Sequence, residues 1–328
     1  MNIVHVAGTK GKGSTCAYVD SILNFYRKSK GIPSKVGLFT SPHLLAVRER
    51  IRINSEPISE ELFAKYFFEV WDALEASAVA LGEDPKHKPV YFRYLTLMSY
   101  HAFLQEKVDA AIYEVGVGGA FDGTNLVEQP AVTGITALGI DHTFTLGDTI
   151  EEISWHKAGI MKISALGFTV PQIPAAMGVL KDQAKKKGVL LKTVEIDPRI
   201  KDVKILPDAP FQKMNASMAI KLSGTVLRQL HQGFGLQEEF LPQEFIDGLE
   251  QVVWRGRCET KLEGNITWYL DGAHTKDSLK VAAQWYDSQC SSRYKSLTMC
   301  SLLLVTMRLP IFLKLWNSCI NVQPTRPT

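Results

Sequence analysis

No two cysteines in this 328-residue chain are spaced as CxxC, and the five present (Cys16, Cys258, Cys290, Cys300 and Cys319) are odd in number and widely scattered. The pattern argues against a zinc site and a disulfide framework, and for reduced thiols in a reducing compartment. Net charge is also scarce: 37 basic residues against 34 acidic ones leave +3, without the basic face that a nucleic-acid partner would require. The opening residues MNIVHVAGTKG have neither the charged n-region nor the long apolar stretch of a signal peptide, and are not Arg/Ser-rich like a transit peptide. A cytoplasmic protein is the resulting expectation, with a mitochondrial form made from a longer start left open. A clean membrane span is missing too. Leu297 to Trp316 has about the length a bilayer asks for, but Arg308, Pro310 and Lys314 interrupt it. A mid-span arginine costs roughly 2.5–3.5 kcal/mol on insertion. The stretch therefore reads as a buried or badly folded segment, and no membrane partner is expected. No internal repeat is found.

What is present is globular in balance, with 45% hydrophobic and 22% charged residues. The chain is too long for one ordinary core, so two units, or one large unit and a fragment, are expected. Apolar runs of strand length alternate with helical periods. Ile3–Ala7 is a strand, Gly8–Gly13 a glycine loop, and Val19, Ile22, Leu23 and Tyr26 follow at helical spacing. Val36–Thr40 is a second strand, broken by TSPH (Thr40–His43); Phe63 to Leu74 and Phe92–Phe103 are helical. Val108–Tyr113 is a buried-type strand delivering Glu114, and Val132–Leu138 another delivering Asp141 and His142. Thr149 and Glu152 have the spacing of a capping box opening the helix of Lys157. Val170–Pro210 reads as irregular, with Lys185–Lys187 a solvated face. Phe211–Leu230 and Gln243–Val253 are helical, and Trp268–Leu270 is a strand ending in DGAH. Such alternation predicts an α/β fold with a mostly parallel sheet.

The strongest local signal is GTKGKGST, Gly8 to Thr15, between a strand and a helix. Its glycines let backbone N–H groups curl around phosphate oxygens, and the helix presents its positive end. Lys12 can reach the β/γ-phosphates, and a hydroxyl on Ser14 or Thr15 can meet Mg²⁺. The loop departs from the common G-x-x-x-x-G-K-[ST] form, because residue 6 is Val and Gly13 separates Lys12 from Ser14. Glu114, Asp141 and His142 fall after two separate strands, where open α/β sheets bind ligands. Lys157 on a helix, Asp271 and His274 in a turn-like LDGAH, and Arg257 in WRGR carry no role by local physics alone: a lysine or arginine is commonly a solvated charge, and Asp-Gly a turn.

In their order, VAGTKGKGS, LFTSPHL with RERI (Arg48–Ile51), EVGVGGAFDGTN, GIDHTFTLGDT, HKAGI, NAS (Asn215–Ser217), WRGR and LDGAH together resemble the folylpolyglutamate synthases. These belong to the Mur-ligase-like ATP-dependent amide ligases; the likeness runs from Ile3 to about Tyr286 and extends, less closely, to bacterial dihydrofolate synthases. It implies an α/β fold, with a Mur-ligase-like central P-loop domain over 1–265 and an incomplete C-terminal α/β domain over 266–328, divergent from about 289. It implies addition of L-glutamate to the γ-carboxyl of tetrahydrofolate through an acyl phosphate made from ATP, by a monomer. By motif, Lys12, His142 and Lys157 would be catalytic. Gly8, Thr9, Gly11, Lys12, Gly13, Ser14, Thr15, Asn215, Arg257, Asp271 and His274 would hold ATP. Ser41 and Glu114 would bind one Mg²⁺, His142 a second, and Lys157 matches a lysine that some relatives carry as a carbamate.

The chain also departs from that family. The helical segment expected before the first strand is missing, KILPDAPFQKMNAS is short, and WRGR stands for WPGR. Residues after Gln289 match no expected element, and a fragment of this size cannot bury a normal core. A truncated or mispredicted product is therefore expected, with its last ~40 residues from a changed reading frame or unspliced intron. The rival expectation for activity is a catalytically impaired nucleotide-binding remnant; a general kinase or NTPase would rest on the glycine loop alone.

Overall fold

The computed structural model describes residues 1–163, 165–264, 266–273 and 276–293. His274 and the apolar run Leu297 to Trp316 lie outside these residues. Two compact units divide at Trp254/Arg255.

The first unit is built on an eight-stranded sheet. In chain order it comprises β1 (Asn2–Ala7), α1 (Lys12–Lys30), β2 (Val36–Phe39), β3 (Ile51–Ile53), β4 (Glu56–Pro57), α2 (Glu60–Leu81) and α3 (Tyr91–Gln105). Next come β5 (Ala110–Glu114), β6 (Val132–Ile135), α4 (Thr143–Leu146), α5 (Ile150–Ala158), β7 (Leu166–Thr169), α6 (Pro174–Lys187), β8 (Leu191–Thr193), α7 (Pro210–Leu230) and α8 (Gln243–Glu250). The strand order is β4-β3-β2-β5-β1-β6-β7-β8, parallel from β2 through β8, with β3 and β4 as an antiparallel edge. Central β1 pairs with β5 on one side and β6 on the other, so its carboxyl end opens at a topological switch point.

Period-two alternation assigns each strand residue to one of two layers. Val4, Val6, Leu38 and Ile112 pack with Val19, Leu23 and the α7 residues Met218 and Leu222. Ile3, Phe39, Ala111 and Tyr113 pack instead with Tyr66, Met98 and Phe103 of α2 and α3. The strands are covered on both faces, which is why they read as unbroken apolar runs.

The segment expected to be irregular contains β8 and the whole of α6. Only Ala176, Leu180 and Ala184 of α6 are buried, an i, i+4, i+8 stripe too narrow and small to stand out as a helical period. Its ends carry clear signals, Pro174 in the first turn and Gly188 at the C-cap with φ +65°. Nor is the Lys185–Lys187 run one solvated face. The Lys187 ammonium donates to the carbonyls of Ala158, Gly159 and Met161 at 3.3, 3.0 and 3.2 Å. A cation there satisfies the last carbonyls of α5 and complements its dipole; burial lowers its pKa. At the other end of α5 the expected capping box forms: the Thr149 hydroxyl accepts from Glu152 N, and the Glu152 carboxylate accepts from Thr149 N.

The second unit, described by itself, holds the antiparallel hairpin β9 (Glu259–Glu263) and β10 (Ile266–Leu270), followed by α9 (Lys276–Arg293). Tyr269 packs edge-on against Trp285 and Tyr286 of that helix. Among the described residues no helix is long and apolar enough to cross a membrane.

Two buried titratable groups in the first unit oppose each other. Burial, then the charge of Lys162, holds the His5 imidazole down to about 3. Burial raises the Asp20 carboxyl to about 6, against hydrogen bonds from Ser55 and Asn24 and the charges of Arg52 and Arg27. The unfolded chain binds a proton at His5 below about pH 6.5 that the fold refuses until about pH 3, so His5 erodes stability as pH falls through that window. Asp20 acts in the other direction: the fold keeps its proton to about pH 6 while the unfolded chain loses it near pH 4, so that stability is lost as pH rises. In urea unfolding, the stability of Asp20→Asn relative to wild type is expected to rise on the order of 3 kcal/mol from about pH 4 to pH 6.5. A pH-independent difference contradicts the buried, protonated carboxyl.

Candidate functional site

At the carboxyl end of β1 the chain turns through a conformation that only glycine fits. Gly8 has φ +151°, and a Cβ there would lie 1.9 Å from Thr136 Oγ1; Gly11 has φ +87°, and its Cβ would lie 2.3 Å from Asn215 Oδ1. The loop is tied to the β6 exit. Thr9 N and Lys10 N donate to the Ala137 carbonyl at 2.9 and 3.1 Å, and the Thr9 hydroxyl donates to Gly139 O while accepting from Gly139 N. Gly11 caps α1, no side chain caps the helix, and its first turn contains no acid. The positive helix end is thereby left for an anion.

Two lysines converge on this loop. Lys157, on α5 and almost wholly buried, donates to Gly8 O at 2.8 Å; Lys12 donates to the same oxygen at 3.0 Å. Burial, then the Lys12 charge, pulls Lys157 down to about 7, opposed by Asp141 and Asp122. Lys157 is thus not the solvated charge that local reading alone suggested. The loop after Glu114 lies against its helix: Ala120 N donates to His156 O at 2.7 Å, and a Cβ on Gly119 would lie 2.7 Å from the same oxygen.

Buried Glu114 leaves β5 beside the loop. Its Oε1 lies 3.3 Å from the Cβ position of Gly13, and its Oε2 accepts from Ser41 N at 3.0 Å. Ser41, Gly13 and Glu114 are therefore gathered at neighbouring strand ends. The hydroxyls of Ser14 and Ser41 and the Glu114 carboxylate are hard oxygen donors of the kind Mg²⁺ takes, alongside phosphate. The Thr15 hydroxyl is fully buried. His142 stands farther out on the loop after β6, half-exposed at φ +51°, with its Nε2 3.6 Å from Asp141 Oδ2. Imidazole is a softer donor than Mg²⁺ prefers. Among the described residues no three His, Cys, Asp or Glu side chains cluster to hold a metal.

Asn215, on α7, is buried against Gly11 and donates to Gln212 Oε1 at 3.0 Å. In the second unit Arg257 and Asp271 form a local cluster. Asp271 accepts from Cys258 N and Ala273 N at 2.7 and 2.8 Å, and Arg257 Nη1 lies against Gly272. Burial and then the Asp271 charge push the Cys258 thiol up to about 12.

Three supporting residues escaped the sequence reading. Gln172 donates to Thr136 O and accepts from Leu138 N, both at 3.0 Å, bracing the loop that holds Thr9. Thr136 itself lies against Gly8. Trp254 lies 3.2 Å from the Cβ position of Gly13 and carries the Arg52 guanidinium over its ring. The WRGR motif pointed to the right segment, but its tryptophan carried no recognisable pattern.

A glycine loop at the switch point of a parallel sheet, joined there by an acid and two lysines, defines a phosphate-loop α/β unit of Mur-ligase-like architecture. No family model matches the chain. The folylpolyglutamate synthase of Neurospora crassa is 60% identical over 296 residues, covering 90% of this chain and 56% of that protein. That of Saccharomyces cerevisiae strain FostersO is 49% identical over 298 residues, covering 87% and 53%. A solved FPGS–AMPPCP–folate complex superposes with a TM-score of 0.76 at 27% identity, covering 88% of this chain and 71% of that one. Mycobacterium tuberculosis folylpolyglutamate synthase complexed with ADP and AMPPCP gives 0.70 at 26% identity, covering 87% and 66%. The chain is a homologue of the folylpolyglutamate synthases, and it spans about half the length of the curated relatives it matches.

The glycine geometry has a direct test. Gly233 has φ +86° with nothing within 4 Å of its Cβ position, whereas Gly11 at φ +87° faces Asn215. Gly233→Ala is expected to cost roughly 1–2 kcal/mol from backbone strain alone. Gly11→Ala is expected to cost more, because the new methyl displaces Asn215. Equal losses in urea unfolding would contradict the close approach.

Proposed function

We propose that the chain supplies the ATP-binding part of a folylpolyglutamate synthase, which adds L-glutamate to the γ-carboxyl of tetrahydrofolate. The observation that carries this reading is the 60% identity to the Neurospora crassa enzyme over nearly the whole chain, joined to a glycine loop, Lys12 and Glu114 gathered at the carboxyl ends of the central strands. We assign 1–265 to the ATP-binding domain and 266–328 to part of a C-terminal ligase domain, and read the protein as a cytoplasmic monomer.

A carboxylate is a poor electrophile, and phosphorylation gives it a leaving group. A γ-carboxylate oxygen of the folate attacks the γ-phosphorus of ATP, ADP leaves, and an acyl phosphate forms. The amine of glutamate attacks the acyl carbon; phosphate leaves, the amide forms, and the amine gives up a proton. Gly8, Thr9, Gly11, Gly13, Ser14 and Thr15 form the phosphate cradle, in which Thr9 acts through its bonds to Gly139. Lys12 would neutralise the transferring phosphoryl group. Ser41 and Glu114 would hold one Mg²⁺, and His142, beside Asp141, a second. When bound, the metal supplies charge neutralisation on the phosphates. Asn215 stands at the cradle wall, and by resemblance Arg257, Asp271 and His274 are also assigned to the nucleotide.

Carbamylation of Lys157 fits its environment. An amine adds CO₂ only when neutral, and a lysine held at about 7 is neutral in a large fraction of molecules at physiological pH. Purified chain incubated with ATP, Mg²⁺, tetrahydrofolate and labelled L-glutamate is expected to incorporate label in proportion to Mg²⁺ and ATP. Nucleotide binding without incorporation would contradict ligase activity in this chain, and no nucleotide binding would contradict the reading as a whole.

A further inference from the structure

The RERI segment has no part in the chemistry above, yet two of its charges, Glu49 and Arg50, bond to one loop. The Glu49 carboxylate accepts three successive backbone N–H groups: Leu44 at 3.0 Å on Oε2, and Leu45 and Ala46 at 3.0 and 2.8 Å on Oε1. Arg50, which is buried, donates from Nε to His43 Nδ1 at 2.9 Å and lies over the Tyr91 ring. Arg52 donates to the Glu49 carbonyl at 3.0 Å, and Arg48 to the Ile58 carbonyl at 3.2 Å. The start of the loop is fixed separately, by Thr40 N on Arg50 O at 3.1 Å and Ser41 N on Glu114 Oε2 at 3.0 Å.

Apolar burial does not hold this loop. Leu44 and Leu45 are 53% and 86% exposed, so they contribute little hydrophobic anchoring. Charge-assisted bonds to backbone N–H groups are about twice as strong as neutral ones, and here three of them meet in one side chain. The loop begins at Ser41, whose N–H bonds Glu114 Oε2 while Glu114 Oε1 lies beside Gly13; a displacement of the loop would therefore be passed to the candidate metal position.

We infer that Glu49 is a positioning residue that clamps the Ser41–Ala46 loop, so that Ser41 and Glu114 are pre-arranged for a metal-bound nucleotide. This rests on the proposed nucleotide function, and it deepens that reading by assigning a role to a residue outside the proposed nucleotide and metal set. Glutamine at residue 49 preserves size but loses the charge and turns an N–H₂ group toward an N–H donor. Aspartate keeps the charge on a shorter arm.

The test uses the full chain as wild type, Glu49→Gln and Glu49→Asp, with two measurements. One is the rate of limited chymotrypsin cleavage after Leu44 and Leu45. The other is the Mg²⁺ concentration for half-saturation of ATP binding, read on the folded protein with Tm recorded in parallel. Glu49→Gln is expected to be cleaved faster and to need about 10-fold more Mg²⁺ or greater, the range seen when a group supporting a metal ligand is removed. Glu49→Asp is expected to recover part of both. A Gln variant with unchanged cleavage and unchanged Mg²⁺ dependence overturns the inference. So does one whose Tm falls while the Mg²⁺ requirement of the folded fraction stays at the wild-type value. If wild type itself binds no ATP, the nucleotide reading fails, and the cleavage rates alone decide the clamp: equal rates overturn it.

Discussion

The carbonyl oxygen of Gly8 accepts hydrogen bonds from two lysine ammonium groups, Lys157 at 2.8 Å and Lys12 at 3.0 Å. Burial and then the Lys12 charge lower Lys157 to about 7, with Asp141 and Asp122 opposing the shift in part. On the proposed function, nucleotide phosphates at the glycine loop would meet Lys12 at this shared carbonyl. The rest of the first unit brings these two lysines, 149 residues apart for Lys157 and Gly8, to one point.

That convergence depends on sheet order. Because β1 lies between β5 and β6, its exit is flanked by Glu114 on one side and the Thr136–His142 loop on the other. The close approach demanded at Gly8 by Thr136 and at Gly11 by Asn215 fixes the loop from both β6 and α7. Lys187 secures the end of α5 from α6, and the Gly119–Ala120 backbone lies along the same helix. The site is therefore a property of the packed sheet and its two helical layers, and cannot be transplanted as a short motif.

The parts legible in the sequence were those with a local signature. The strand–glycine loop–helix unit could be read because φ restrictions and helix-end chemistry act over a few residues, and the Thr149/Glu152 box because its partners are three apart. The Ser41–Glu114 contact joins residues 73 apart, at the ends of adjacent strands, and no spacing rule reaches that far. Asn215 was likewise invisible except by resemblance, since its place is set by tertiary packing against a glycine. α6 was missed because its buried stripe is three small or medium residues, and Lys187 because a lysine that folds back onto carbonyls looks in sequence like one that faces water. The β3–β4 edge hid inside a charged segment in which Ile51 and Ile53 alternate with arginines, too short an apolar pattern to stand out as a strand.

If Lys12 and the glycine loop form a triphosphate site, titration calorimetry of Mg·ATP into wild type and Lys12→Ala separates the two proteins. Wild type is expected to bind one equivalent, with affinity lowered roughly 10- to 100-fold by the substitution, the worth of a hydrogen bond to a charged group. Binding of equal strength by the two proteins would contradict a phosphate role for Lys12.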